Sequence, residues 1–237
     1  MRRINLIPMA GLGERFIKKG YKNPKPLIDI NGKPMFVRAV RCLPKADLII
    51  FVCLKNHVDQ FGIDKKIKFF FPNSKIIISK KKNLGQAADC LKASKQLKKN
   101  DILTIGSCDN AMYYNKKCLK NKIKNSELVV WTFKDRKIIS KNPKMYGYVK
   151  TVQKDNIVKV SCKKKISKFP WKDHAIIGAF SFKRAEIFIK YTKKLLASNL
   201  RINNEYYMDS VADICVRSGI KAKVNLVKKY YGWGTPS

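Results

Sequence analysis

Apolar residues run along the chain in short blocks separated by charged or turn-forming stretches, and the blocks follow two periodicities. Residues 4–9, 47–53, 75–79 and 102–105 are of strand length, rich in isoleucine, leucine and valine, which predicts four buried strands. Between them, residues 34–42 open with a proline at a first-turn position and residues 84–97 carry apolar side chains at helical spacing, so both predict helices. Strands alternating with helices form a mostly parallel sheet, because each parallel strand needs a crossover to return the chain to the same end.

The second half is more mixed. Residues 127–133 predict a further strand, and residues 148–152 and 157–160 a hairpin-like pair joined by the turn Lys154-Asp155-Asn156. A buried strand is predicted over 175–182, an amphipathic helix over 185–196, a second helix over 206–217 ended by Gly219, and a last strand over 221–227. The 237 residues, 45% hydrophobic and without internal repeat or long linker, predict one α/β domain spanning 1–237.

Apolar runs such as Leu48-Ile49-Ile50-Phe51-Val52 fall far short of the ~20 residues that cross a bilayer, so no membrane span is expected. The start, with Arg2 and Arg3, leads through a brief apolar stretch into glycines rather than a small-residue cleavage site, and reads as a first strand. Seven scattered cysteines without a C-x-x-C pair suggest neither a zinc site nor a disulfide framework, which makes the cytoplasm the expected compartment. The net charge of +36 comes from 43 lysines and only nine arginines spread along the chain. Sequence-reading proteins rely on arginine for bidentate contacts, so the charge reads as a solvated lysine-rich surface that favours anionic small molecules, with no specific nucleic-acid partner expected. The runs Lys80-Lys81-Lys82 and Lys163-Lys164-Lys165 read as solvated loops, with a part in an adjoining site left open.

The segment Ala10-Gly11-Leu12-Gly13-Glu14-Arg15 follows the first strand directly, and Pro24-Lys25-Pro26-Leu27 lies shortly after. Glycines after a parallel strand let backbone N–H groups approach a polyphosphate, and Arg15 and Lys25 can neutralise its charge. The segment is neither a P-loop nor a dinucleotide fingerprint, and a G-x-G pair alone is also a common turn. Asp109, just after the fourth predicted strand, stands where an α/β site would hold Mg²⁺; a plain turn at Asp109-Asn110 is the alternative.

These blocks, with Asn31-Gly32-Lys33-Pro34-Met35, resemble the opening signature of the sugar-phosphate nucleotidyltransferases, the nucleoside-diphosphate-sugar pyrophosphorylases. The resemblance continues in family order through Leu84-Gly85-Gln86-Ala87, Cys108-Asp109-Asn110, Tyr146-Gly147-Tyr148-Val149, Ile177-Gly178-Ala179-Phe180 and Trp233-Gly234-Thr235-Pro236. It implies a three-layer Rossmann-like fold, GT-A-like, with a mixed, mostly parallel central sheet and a small β insertion on the substrate side. It also implies a nucleotide-binding half over 1–112 and an acceptor-binding half over 113–237.

The activity implied is transfer of a nucleoside monophosphate from a nucleoside triphosphate to a sugar 1-phosphate, with release of pyrophosphate, for activated-sugar or surface-polysaccharide synthesis. By the same resemblance Ala10, Gly11 and Gly13 would bind the triphosphate, Arg15 the leaving pyrophosphate, and Lys25 the phosphates of both reactants. Gln86 would read the base with Gly85 allowing its approach, and Asp109 would hold Mg²⁺ (or Mn²⁺). Gly147, Lys163, Gly178 and Glu205 would line the acceptor pocket. For Lys163 a surface role, and for Glu205 a helix-capping role, stand as alternatives.

The chain departs from the family pattern at three places. Cys162 stands where many members carry a glutamate before the phosphate-binding lysine, and no acid follows Asp213, so Asp109 would share its metal with Glu205 or Asp209, or with phosphates and water alone. The chain stops at Ser237, which suggests a fragment or a short form. The rival functions are a cytidylyltransferase acting on a choline-like or amino-acid-derived phosphate, a basic nucleic-acid-binding module, and a catalytically silent nucleotide-binding module. Neither base identity nor oligomeric state is legible.

Overall fold

The computed structural model describes residues 1–80 and 84–236, so Lys81 and Lys82 of the first lysine run, and Ser237, lie outside the described residues. In the first half, β1 (Arg3–Met9) is followed by α1 (Glu14–Ile17), α2 (Met35–Arg41), β2 (Leu48–Leu54), α3 (Lys55–Phe61), α4 (Ile63–Phe70), β3 (Lys75–Ser79), α5 (Gln86–Leu91) and β4 (Ile102–Ile105). Then come β5 (Asn110–Tyr113), α6 (Lys116–Asn125), β6 (Leu128–Phe133), α7 (Arg136–Ile139), β7 (Tyr148–Val152), β8 (Asn156–Ser161), β9 (His174–Phe182), α8 (Ala185–Ala197), α9 (Met208–Arg217), β10 (Ala222–Leu226) and β11 (Lys229–Gly232).

Among the described residues nine strands form one sheet in the order β3-β2-β1-β4-β9-β6-β10-β8-β7, and β5 pairs with β11 in a small second sheet. Neighbours are parallel in β3-β2-β1-β4 and in β6-β10, whereas β9 runs antiparallel between β4 and β6. The sheet is mixed, as expected; it is mostly parallel only from β3 to β10, and with β7 and β8 included five of the nine pairings are antiparallel. The hairpin β7-β8 is more than an appendage. β8 bonds to β10, and β7 bonds back to the start of β9, so these strands and β6 close into a five-membered ring.

Alternation along each strand feeds three cores on two faces. Ile4 and Leu6 of β1, with Leu128 and Val130 of β6, pack under α5, α8 and α9. On the opposite face, Ile7 and Met9 meet α2 and α4, while Val129, Trp131 and Phe133 meet α6 and α7. A strand whose two faces are both covered must be apolar at nearly every position, which is why these segments read as continuous runs.

Two predicted helices are shorter than expected. Residues 84–97 hold only α5 and a following 3₁₀ turn, Ser94–Gln96, because the Gln96 carbonyl accepts from Arg2 (3.0 Å) and its side chain from Lys75 (2.9 Å) instead of continuing a helical ladder. Within 206–217 the helix begins at Met208, since the Tyr206 carbonyl, which a helix starting earlier would need as an acceptor, accepts instead from the Ala87 N–H at 3.0 Å. No helix among the described residues is long and apolar enough to cross a membrane.

Phe36 of α2 is fully buried, with Phe51, Phe70 and Phe71 around it at ring separations of 5.9–6.2 Å. Phe36→Ala is expected to lower stability by roughly 3–5 kcal/mol through the cavity it leaves. Urea denaturation followed by circular dichroism measures this, and a loss below about 1 kcal/mol would show that the cluster collapses around the gap.

Candidate active site

The C-terminal ends of β1 and β4 open onto a cleft of about 580 Å³ whose far wall comes from the second half of the chain. On the near wall, Ala10 and Gly11 follow β1, and Arg15 reaches the cleft from the first turn of α1. Gly13 lies just behind them, against the Lys25 side chain and outside the lining. Lys25 begins a 3₁₀ turn, Lys25–Leu27, anchored by buried Pro26 and Leu27. Its Nζ donates to Asp109 Oδ2 at 2.8 Å, with the two side chains only 22% and 19% exposed.

Desolvation works against the charge on both partners of this pair and is outweighed in each. The Asp109 carboxylate holds the Lys25 pKa above its ordinary value, and Lys25, aided by Ser107, holds Asp109 below the usual carboxylate range. Asp109 is further fixed by the Ser107 hydroxyl, which donates to Oδ1, and by its own carbonyl, which accepts from the Trp233 N–H at 2.8 Å. A side chain at Gly234 would come within 2.9 Å of Asp109 Oδ2, so the Trp233-Gly234 backbone lies directly over the carboxylate.

The far wall gathers Gly147, Lys163, Gly178, Glu205 and Asp209. Gln86 bridges the walls, donating to the Gly178 carbonyl at 3.3 Å. Lys163 points inward: its Nζ donates to the Met145 carbonyl and lies 5.3 Å from the centre of the Tyr207 ring. Lys163 thus faces the cleft rather than forming part of a solvated run. Glu205 closes a two-residue turn in which Asn203 and Asn204 are both left-handed, a conformation asparagine tolerates, and it bonds the Tyr207 hydroxyl. It therefore precedes α9 and does not cap it.

Two glycines are fixed by close approach. At Gly85, whose φ is +107°, a Cβ would meet the Tyr206 backbone at 2.5 Å; here the segments 84–87 and 205–207 cross, joined by hydrogen bonds from Tyr206 N–H to Leu84 and from Ala87 N–H to Tyr206. Gly85 makes room for this crossing and does not itself line the cleft. At Gly147 a Cβ would stand 2.2 Å from Asp209 Oδ2 and 2.5 Å from the Ser161 carbonyl.

Among the described residues no three His, Cys, Asp or Glu side chains gather into a cluster that could hold a metal by themselves, so Asp109, Glu205 and Asp209 do not form one. The donor set still suits Mg²⁺. That ion is commonly held by one or two carboxylates with the substrate's phosphates and water completing its shell, and Asp109 supplies such a carboxylate. Asp89, Asp109, Glu205 and Asp209 line the cleft together with Arg15, Lys25, Lys141 and Lys163, so it is balanced in charge while the whole chain carries +36.

No protein-family model and no curated protein sequence matches the chain. Solved structures do, over nearly the full length. The nucleoside-diphosphate-sugar pyrophosphorylase from Vibrio cholerae RC9 superposes with a TM-score of 0.79 at 17% identity, over 98% of this chain and 96% of that one. A UDP-glucose pyrophosphorylase complexed with UDP-glucose gives 0.75 at 16% (99% and 94%), and the inositol-1-phosphate CTP transferase from T. maritima gives 0.74 at 14% (99% and 90%). The chain shares their fold. Within that fold the cleft also exposes residues that the sequence did not single out: Asp89, Ser107, Lys141, Tyr207 and Tyr230. Asp89 sits three positions after Gln86, one helical turn along the same face, a spacing that carried the signal.

Burial pushes the Asp209 carboxyl up to about 6, with Lys163 and the Cys162 thiol only partly offsetting it. A carboxyl raised in the fold keeps its proton where the unfolded chain has lost it. Its stabilising contribution is therefore present below pH ~4 and is lost as pH rises through about 6. Relative to Asp209→Asn, the wild type should lose on the order of 2–3 kcal/mol between pH 4 and 7. Urea midpoints across that range test the sign, and parallel profiles for the two proteins would reject it.

Proposed function

We propose that the protein is a metal-dependent nucleotidyltransferase that moves a nucleoside monophosphate from a nucleoside triphosphate onto a sugar 1-phosphate and releases pyrophosphate. The observation that carries this reading is the convergence of Lys25 and Asp109 at 2.8 Å in a cleft that Gly11 and Arg15 also line. Two of the similar structures are named as pyrophosphorylases, one of them in complex with UDP-glucose, which supports the sugar 1-phosphate as acceptor.

In this reading 1–237 is one domain, with the triphosphate on the Ala10-Gly11 backbone and Arg15 against its β- and γ-phosphates. Lys25 leaves Asp109 to bridge the phosphates of the two reactants. Lys163 holds the acceptor phosphate, with Gly147 facing the sugar, Gly178 leaving space for it and Glu205 accepting from its hydroxyls. Gln86 reads the base edge, with Gly85 admitting the Tyr206 backbone beside it rather than the base, while Gly13 shapes the loop. A phosphate oxygen of the acceptor then attacks the α-phosphorus in line with departing pyrophosphate, and the chain contributes positioning and charge neutralisation without a covalent intermediate. Mg²⁺ (or Mn²⁺), held by Asp109, would supply further charge neutralisation at the α-phosphate. Cytoplasmic supply of activated sugars to polysaccharide assembly is the role that fits.

A panel of nucleoside triphosphates against sugar 1-phosphates, inositol phosphate and choline phosphate, read by pyrophosphate release with Mg²⁺, tests the reading. Lys25→Ala should lower turnover by at least about 100-fold, the scale of losing one preorganised charge contact, with the circular dichroism spectrum unchanged. Unaltered turnover would remove Lys25 from the chemistry. Pyrophosphate release with no acceptor in the panel would reject the reading itself.

A further inference from the structure

One acid of the cleft has no part in phosphate chemistry. Asp209 stands in the first turn of α9 and is 8% exposed, with its carboxylate beneath the backbone of Gly147. Its donors are the Cys162 thiol and its own backbone N–H. A carboxylate offers about four lone-pair sites and a thiol is a weak donor, so accepting capacity is left on a side chain that lines the cleft. Lys163 follows Cys162 directly, which sets the cation and the carboxylate side by side.

That pairing constrains the ligand. A site for phosphate alone would bind better without Asp209, because a neighbouring carboxylate weakens the attraction of Lys163 for an anion. A ligand that carries a hydrogen-bond donor beside its phosphate satisfies both residues. The geometry points to Asp209 as a specificity-determining residue of the acceptor site, its carboxylate accepting from a hydroxyl or ammonium group on the carbon next to the phosphorylated one. The inference rests on the nucleotidyltransferase reading and on Lys163 as the acceptor-phosphate cation. It moves the acid that reads the acceptor from position 162, a cysteine here, to the start of α9.

The test uses matched acceptors that differ in that donor: glucose 1-phosphate, glucosamine 1-phosphate and 2-deoxyglucose 1-phosphate, and ethanolamine phosphate against ethyl phosphate. Binding is measured by calorimetry and turnover by pyrophosphate release, in the wild type and in Asp209→Asn. The wild type should prefer a donor-bearing acceptor by about 10–100-fold, the scale of one hydrogen bond to a charged group. Asp209→Asn should erase the preference by raising the KM for that acceptor, with the affinity for the nucleotide and the dependence on Mg²⁺ concentration unchanged. Which pair responds tells hydroxyl from ammonium.

No preference in either pair, or a preference that survives Asp209→Asn, overturns the inference, as does an equal loss for every acceptor, the mark of a merely structural acid in α9. Cys162→Ala guards against a variant that fails to fold. It frees the oxygen held by the thiol and should keep the preference; its loss there also counts against the assignment. Failure of the underlying reading looks different, since neither nucleotide binding nor pyrophosphate release would then appear with any acceptor.

Discussion

The Lys25–Asp109 ion pair is the contact around which the cleft is arranged. It joins the turn after the glycine loop to the end of β4; its carboxylate also accepts from Ser107, and the main-chain carbonyl of Asp109 accepts from the Trp233 N–H. Two charges held largely out of water are expensive, and neither would persist without the other. The pair therefore keeps an ammonium and a carboxylate ready in a place where each would otherwise be neutralised or exposed. In the proposed reaction the phosphates replace Asp109 as the partner of Lys25, which frees the carboxylate at the moment the polyphosphate arrives. The desolvation cost is met before the substrate enters.

Much of this arrangement was legible from residue order. β3 and β4 match their predicted runs at both ends, each being a short block rich in isoleucine that stands out from its polar flanks. Gly11, Lys25, Asp109, Gln86 and Lys163 all stand out in the sequence, and they share the cleft. Other elements had no local signature. α6 buries only Leu119 and is otherwise largely lysine and asparagine, so its apolar face is too thin to register. β5 and β11 are four residues each and exist only because distant segments pair with one another. α3 and α4 are interrupted by Gly62 in a left-handed conformation, which breaks the helical period across 55–70. The reason for Gly85 was equally hidden, since the Tyr206 backbone that fills its missing side chain lies 121 positions along the chain.

The charge distribution separates surface from site. An excess of +36 spread over lysines creates a broad positive potential that draws anions without distinguishing them. The cleft instead sets four cations against four carboxylates. In the proposed function, long-range attraction of anions would fall to the outer surface, and selection to a cleft whose charges balance.

The crossing of 84–87 with 205–207 has a mechanical consequence. Two backbone hydrogen bonds tie the stretch just before α5, on the proposed base side, to the stretch leading into α9, on the proposed acceptor side. Because these bonds hold the two stretches together, a displacement of one at the crossing is carried to the other. The two proposed pockets are in this way joined through the main chain alone.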